Sequence, residues 1–154
     1  MKTLVIGLGN PILGDDGVGW KVIEELTALL HSDPSVETDC ASLGGLSLME
    51  RMLGYERVIV IDSMETGQRP EGSVSVFPLT DLGNPYAGHS ASVHDASLMT
   101  ALQAAKSMGT QVPSRVEIVA IEIKNTYNFS DRLSHPIEKA VPLAIDEVLK
   151  LLKG

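Results

Sequence analysis

Residues 4–19 read LVIGLGNPILGDDGVG, which is an apolar run, then a glycine-rich turn with two adjacent carboxylates, then the start of a helical pattern. This order predicts a β-strand, a loop and an α-helix. Glycine tolerates positive φ and lets backbones approach closely, so these glycines indicate a tight turn. In an open α/β sheet such a turn lies at the carboxyl end of a strand, where ligands usually bind. We therefore expect Asp15 and Asp16 to lie at the active edge of the molecule.

The rest of the chain alternates strand and helix patterns. Strands are predicted at residues 3–7, 35–42, 57–62, 73–78 and 115–123, and helices at residues 18–30, 44–53, 95–108 and 135–152. The run RVIVID at 57–62 is typical of a central strand buried on both faces. Strand 73–78 is expected to be antiparallel and near an edge, because the turn-rich segment before it holds no crossover helix. The last helix is expected to start after Ser134 and to continue, with a kink, through Pro142.

Length and composition restrict the class of protein. A chain of 154 residues is expected to form one domain, residues 1–154. It has no apolar run long enough to span a bilayer and no signal-peptide pattern, so we expect no membrane insertion and a cytoplasmic location. A net charge of −8 with scattered Lys and Arg argues against nucleic acid as a partner. Cys40 is the single cysteine, which excludes an internal disulfide, and we interpret it as a small buried hydrophobe without a lowered pKa.

Three candidate functional residues follow predicted strands or precede a predicted helix. Asp16 lies in the first loop, Asp62 ends the RVIVID run, and His94 follows a long Gly- and Pro-rich loop at 80–93. In a mostly parallel sheet these loops can share the carboxyl edge. A mixed set of carboxylates and imidazole suits a transition metal with open coordination positions, as Lewis-acid catalysis requires. The start of a helix also disfavours imidazolium, which keeps His94 able to bind a metal.

Structural alternatives stay open for each of these residues. Either Asp15 or Asp16 can cap the helix that starts at Val18, and Asp15 is the preferred candidate. Asp62 can simply end its strand, and His94 can be a surface residue of a loop. Only the expected convergence of the three residues on one edge favours a functional site.

The runs GLGNPILGDDGVG, RVIVID and SVHDASL, in this order, resemble the hydrogenase maturation endopeptidases of nickel-iron hydrogenases. The resemblance extends over nearly the whole chain, and it implies a three-layer α/β/α fold of the phosphorylase/hydrolase-like kind, with a mostly parallel, mixed, five-stranded twisted sheet. The two acids and the histidine of the family pattern match Asp16, Asp62 and His94. GLGNP also begins peptidyl-tRNA hydrolases, but their following histidine is absent here before His31.

The resemblance implies an enzyme that removes a C-terminal extension from the large-subunit precursor of a hydrogenase after nickel insertion. The nickel would belong to the substrate, and no tightly bound metal is expected in the resting enzyme, which we expect to be a monomer. The matched acids and histidine would contact the nickel and take part in catalysis. Gly9, Asn10 and Gly45 are expected to bind the extended tail. A rival interpretation is a nickel-dependent checkpoint or metallochaperone that binds the precursor without cutting it.

Overall fold

A computed structural model describes residues 2–42, 44–83, 93–124 and 128–154, but not the side chains of residues 82, 83 and 93–97. The strands are β1 (Thr3–Leu8), β2 (Val36–Ala41), β3 (Arg57–Met64), β4 (Val74–Pro78) and β5 (Arg115–Glu122). The α-helices are α1 (Val18–Leu30), α2 (Gly45–Met52), α3 (Val93–Ser107) and α4 (His135–Lys153), and short 3₁₀ turns span Gly14–Gly17 and Leu79–Gly83.

The strands form one mixed sheet in the order β2-β1-β3-β5-β4. β1, β2, β3 and β5 are parallel, whereas β4 pairs with β5 in the antiparallel direction and lies at the edge. This confirms the predicted mostly parallel sheet and the predicted antiparallel edge strand. The reason is the one inferred from the sequence: the segment between β3 and β4 has no helix to carry a parallel crossover.

Helices cover both faces of the sheet, so the fold has the predicted three layers. Alternate residues of β3 point to opposite faces. Val58 and Val60 pack in a cluster with α2 and α3, and Ile59 and Ile61 pack in a cluster with α1 and α4. A strand that is covered on both faces needs a continuous apolar run, which explains the composition of RVIVID.

The order of the strands reverses between β1 and β3. From β1 the chain passes through α1 to β2 on one side, and it then returns through α2 to β3 on the other side of β1. Because α1 and α2 cover opposite faces, the carboxyl ends of β1 and β3 form a topological switch point, where open α/β sheets have a crevice. Ligands of open α/β sheets bind at such a switch point.

Two predicted boundaries near this crevice are wrong by about two residues. β3 does not end at Asp62 but continues to Met64, because Ser63 and Met64 still pair with β5. Helix α3 begins at Val93, so His94 lies in its first turn. The last helix begins directly after Ser134 and continues through Pro142, as predicted, and the kink at Pro142 stays a prediction. Within the described ranges, no helix is both long enough and apolar enough to cross a membrane.

Cys40 lies on the edge strand β2 and is half-buried. Burial raises the pKa of its thiol to about 11, with smaller contributions from Asp39 and Glu24. Relative to an ordinary thiol, this lowers the thiolate fraction at neutral pH by roughly two orders of magnitude. We therefore expect slow reaction with Ellman's reagent at pH 7 in the native protein and a large acceleration in urea. Equal rates in the two conditions would contradict the raised pKa.

Candidate active site

The opening loop, residues 9–17, links β1 to α1 at the switch point. Gly9 has a φ of +135°, and a Cβ built on it would lie 2.0 Å from the backbone oxygen of Asp16. No side chain fits there, so only glycine lets the loop fold back onto the end of β1. The loop then passes through the 3₁₀ turn Gly14–Gly17 into α1. The glycine at position 9 therefore sets how closely Asp16 approaches β1.

The Asp16 carboxylate is half-buried and held at both oxygens. Oδ2 accepts a hydrogen bond from the backbone N–H of Asn10 over 2.8 Å, and Oδ1 accepts one from the Ser63 hydroxyl over 3.1 Å. The N-cap position of α1 is Gly17, so Asp16 does not cap that helix. Its side chain instead joins the opening loop to the end of β3.

Asp15 has a different role from the predicted helix cap. It is buried, and its carboxylate accepts hydrogen bonds from the backbone N–H of Ser134 over 2.7 Å and from the Ser134 hydroxyl over 2.8 Å. The predicted capping of α1 is wrong because the 3₁₀ turn moves the cap position on to Gly17. Asp15 thus fixes the opening loop to the residue that precedes α4.

Backbone contacts strengthen this junction. Gly14 N–H donates to the Ser130 carbonyl over 2.8 Å, and Ser130 N–H donates to the Ile12 carbonyl over 2.9 Å. The two segments form a short parallel bridge at Leu13 and Ser130. The C-terminal part of the chain therefore supports the loop that carries Asp16.

Replacing Asp15 by Asn tests this support. The amide keeps one acceptor oxygen but turns its NH₂ group toward a donor of Ser134. We therefore expect the free energy of unfolding to fall by about 1–3 kcal/mol. Urea unfolding measures the change. Asp33 is a matched control, because its exposed carboxylate accepts the same two kinds of bond from Ser35. Asp33→Asn is expected to have a smaller effect, and an Asp15→Asn variant as stable as that control would contradict the proposed support.

Asp62 lies near the end of β3 and is buried, with 2% of its surface exposed. Its Oδ1 accepts a hydrogen bond from the backbone N–H of Ser63 over 2.9 Å. Asp62 alternates with Val60 and Met64, which face the α2 and α3 layer, so its side chain lies on the sheet face that α3 covers. A buried carboxylate at the mouth of a central strand is the position expected for a ligand-binding group.

Ser63 connects the two predicted carboxylates, since its hydroxyl binds Asp16 and its N–H binds Asp62. Sequence reasoning missed this serine. A serine after an acid at the end of a strand is common, and only the folded chain shows that it meets the opening loop. In the structure, Asp16 and Asp62 are therefore both hydrogen-bonded to one residue near the end of β3.

The other predicted site residues lie at the same edge of the sheet. Asn10 follows Gly9, and its Oδ1 accepts a hydrogen bond from Ile12 N–H over 3.2 Å, within its own turn. Gly45 is the first residue of α2, with a φ of +51°. The His94 side chain is outside the described residues, and its backbone lies in the first turn of α3. The catalytic, metal-binding and substrate-binding roles of these residues stay predictions.

The loop after β2 also meets the opening loop. Ser42 Oγ donates a hydrogen bond to the Gly9 carbonyl over 2.6 Å. The opening loop is therefore hydrogen-bonded both to the loop after β2 and to the end of strand β3.

The rim of the site is acidic. Glu65 lies directly after β3 and is largely exposed; the partial desolvation of its carboxyl raises its pKa, and so do the nearby negative charges of Asp16 and Glu122. Glu122 is buried and accepts hydrogen bonds from Thr66 and Gly67, which holds the loop after β3 in place. This charge favours a cationic group in the crevice.

Two of the three predicted metal ligands can be located as side chains. Among the side chains that the structure describes, no three His, Cys, Asp or Glu residues are grouped closely enough to hold a metal ion. Asp16 and Asp62 each contact Ser63, and the third predicted ligand, His94, is the residue whose side chain is not described.

A separate groove lies at the opposite edge of the sheet. It has a volume of about 540 Å³ and is lined by the end of β4, the C-terminal half of α3 and the start of β5, including Phe77, Leu102 and Arg115. The crevice at the carboxyl ends of β1 and β3 is therefore distinct from this groove.

Comparison with known proteins identifies the family. A model described as hydrogenase maturation protease matches residues 20–151, a range that includes Asp62 and His94 and begins after Asp16. The hydrogenase expression/formation protein HupD of Rhizobium leguminosarum bv. viciae is 24% identical over 153 residues, which are 99% of this chain and 75% of that protein.

Solved structures agree with this result. The hydrogenase maturating endopeptidase HybD from Escherichia coli has the same fold, with a TM-score of 0.78 at 23% identity over 99% of this chain and 93% of that one. The hydrogenase 2 maturation peptidase from Thaumarchaeota archaeon SCGC_AB-539-E09 is 31% identical, with a TM-score of 0.65 over 99% of this chain and 98% of that one. The resemblance predicted from the sequence is confirmed. Because the family model matches most of its length, this chain belongs to the hydrogenase maturation protease family.

Proposed function

We propose that this protein is an endopeptidase that removes the C-terminal extension of a nickel-iron hydrogenase large-subunit precursor after nickel has been inserted. The observation that carries the proposal is the pair of carboxylates, Asp16 and Asp62, joined through Ser63 at the switch point of the sheet. Membership of a protease family supplies the reaction class. The partner is the precursor, and the nickel arrives as part of that substrate.

The chemistry of the donors supports nickel as the recognised group. The described contacts occupy each Asp16 oxygen with one hydrogen bond, and a carboxylate oxygen has a further lone pair to offer a metal. Carboxylate oxygens together with the imidazole of His94 form a mixed set that suits a transition metal. In this proposal Asp16, Asp62 and His94 contact the nickel, so that cleavage depends on its presence.

Two mechanisms of peptide-bond hydrolysis are compatible with these residues. In the first, the substrate's nickel polarises the scissile carbonyl or the attacking water, and the carboxylates hold the metal. In the second, the nickel only positions the tail, and one carboxylate accepts a proton from the water. In both, an extended tail lies along the edge of the sheet beside Gly9, Asn10 and Gly45.

The deciding experiment compares nickel-loaded with nickel-free precursor. Each precursor is incubated with the purified protein, and the masses of the products are measured by mass spectrometry. Loss of a C-terminal peptide from the loaded form alone supports the proposal. Loss from both forms would refute the dependence on nickel. Stable binding of the loaded form at intact mass would instead support the checkpoint or metallochaperone interpretation.

A further inference from the structure

Ser63 lies in a paired strand, whereas Asp16 lies in a loop. It belongs to β3, where it pairs with Ile121 of β5, and 8% of its surface is exposed. Moving its backbone would require breaking the parallel ladder in the centre of the sheet. Ser63 is therefore a fixed reference point for any group that it contacts.

Asp16, by contrast, is carried by a loop. Among the described residues, its other side-chain partner is the N–H of Asn10, which belongs to the same loop and moves with it. The torsion that turns a carboxylate about its own bond is broad and weakly restricted. The Ser63 hydroxyl, 3.1 Å from Oδ1, is thus the contact that relates the plane of this carboxylate to the sheet.

The same residue also contacts Asp62, through its backbone N–H. The two carboxylates come from different elements and lie toward different faces of the sheet, since Asp62 points to the α3 side and Ser63 to the α1 side. One serine donating to both carboxylates sets their mutual orientation.

We propose that Ser63 is a positioning residue that orients the Asp16 carboxylate relative to Asp62 for the loaded precursor. The inference rests on the proposed function. Removing a group that hydrogen-bonds a metal ligand typically lowers the metal affinity or the activity by 10- to 100-fold. We therefore expect Ser63→Ala to lower kcat/KM for the loaded precursor by about tenfold or more.

Two further variants separate positioning from general damage. Ser63→Thr keeps the hydroxyl and has a side chain that suits a strand, so it should recover most of the activity. Ser114→Ala removes an exposed hydroxyl at the opposite edge of the sheet, where Ser114 donates to the Glu56 carbonyl, and this variant should process normally. The urea unfolding midpoint of each variant is measured alongside. Normal processing by Ser63→Ala, with an active wild-type protein, overturns the inference and leaves the proposed function intact.

A second readout uses the affinity for loaded precursor, measured by calorimetry. If Ser63 acts through Asp16, Ser63→Ala weakens binding in the wild-type background and adds little in an Asp16→Asn background. Equal weakening in both backgrounds indicates a structural role and overturns the inference. This readout applies equally to a protein that binds without cutting. A wild-type protein that neither binds nor cleaves the loaded precursor overturns the proposed function and the inference together.

Discussion

Asp16→Asn is expected to stop processing of the loaded precursor, with a fall in rate of about a thousandfold or more. The substitution keeps the size of the side chain but removes its negative charge, which the proposed site uses either to bind nickel or to accept a proton. A thousandfold loss corresponds to about 4 kcal/mol of activation free energy. The rate is measured by following release of the C-terminal peptide by mass spectrometry.

Stability should change far less than activity in this variant. Asparagine can still accept one of the two hydrogen bonds that Asp16 receives from Asn10 and Ser63, and the side chain is only half-buried. We expect the free energy of unfolding to change by about 1 kcal/mol. Asp146→Asn, on the exposed side of α4, is the matched control and should process normally. Wild-type rates in Asp16→Asn would refute the assigned role of Asp16.

His94→Gln is expected to give the same loss of processing. The prediction depends on the sequence pattern and on the position of His94 in the first turn of α3. If His94→Gln still processes the precursor and Asp16→Asn does not, the imidazole is not one of the nickel ligands, and the proposed ligand set keeps only the two carboxylates.

The fold could be predicted because its main signals are local and strong. The run RVIVID is typical of a strand buried on both faces, and α1 follows from apolar side chains that repeat at helical spacing between residues 18 and 30. The edge position of β4 followed from the missing crossover helix. Topology then placed Asp16 and Asp62 at one edge, because parallel strands end on the same side.

What could not be predicted depends on contacts between distant parts of the chain. Asp15 and Ser134 are 119 positions apart, and no local pattern indicates that they bond. The local pattern therefore predicts a helix cap for Asp15, since Asp is among the residues preferred at that position. The end of β3 was placed too early for a related reason, since pairing with β5 extends the strand past its apolar run. Ser63 was missed because its importance arises only where β3 meets the opening loop.

Gly9→Ala is expected to damage both stability and processing. The added Cβ would lie 2.0 Å from the Asp16 carbonyl oxygen, and its φ of +135° is one that side chains rarely adopt. Backbone strain and overpacking each cost about 1–3 kcal/mol, so we expect a total near 3 kcal/mol, or a displaced loop. Urea unfolding and the processing assay, applied to the same preparation, measure both effects.

Gly109→Ala is the matched control for this change. Gly109 also has a positive φ, of +83°, but among the described residues no atom lies within 4 Å of a Cβ built on it. The control therefore carries the backbone strain without the overpacking, and it should be destabilised by only about 1 kcal/mol. Gly9→Ala must be clearly less stable than Gly109→Ala if the close contact with Asp16 matters.

The comparison also decides between two roles for Gly9. If Gly9 serves only to bind the precursor tail, as its place in the sequence pattern predicts, Gly9→Ala should match Gly109→Ala in stability and differ only in processing. If Gly9 makes room for Asp16, stability and processing should fall together, because the same clash strains the loop and moves the carboxylate. The 2.0 Å approach favours the second outcome, since the clash is present whether or not substrate is bound.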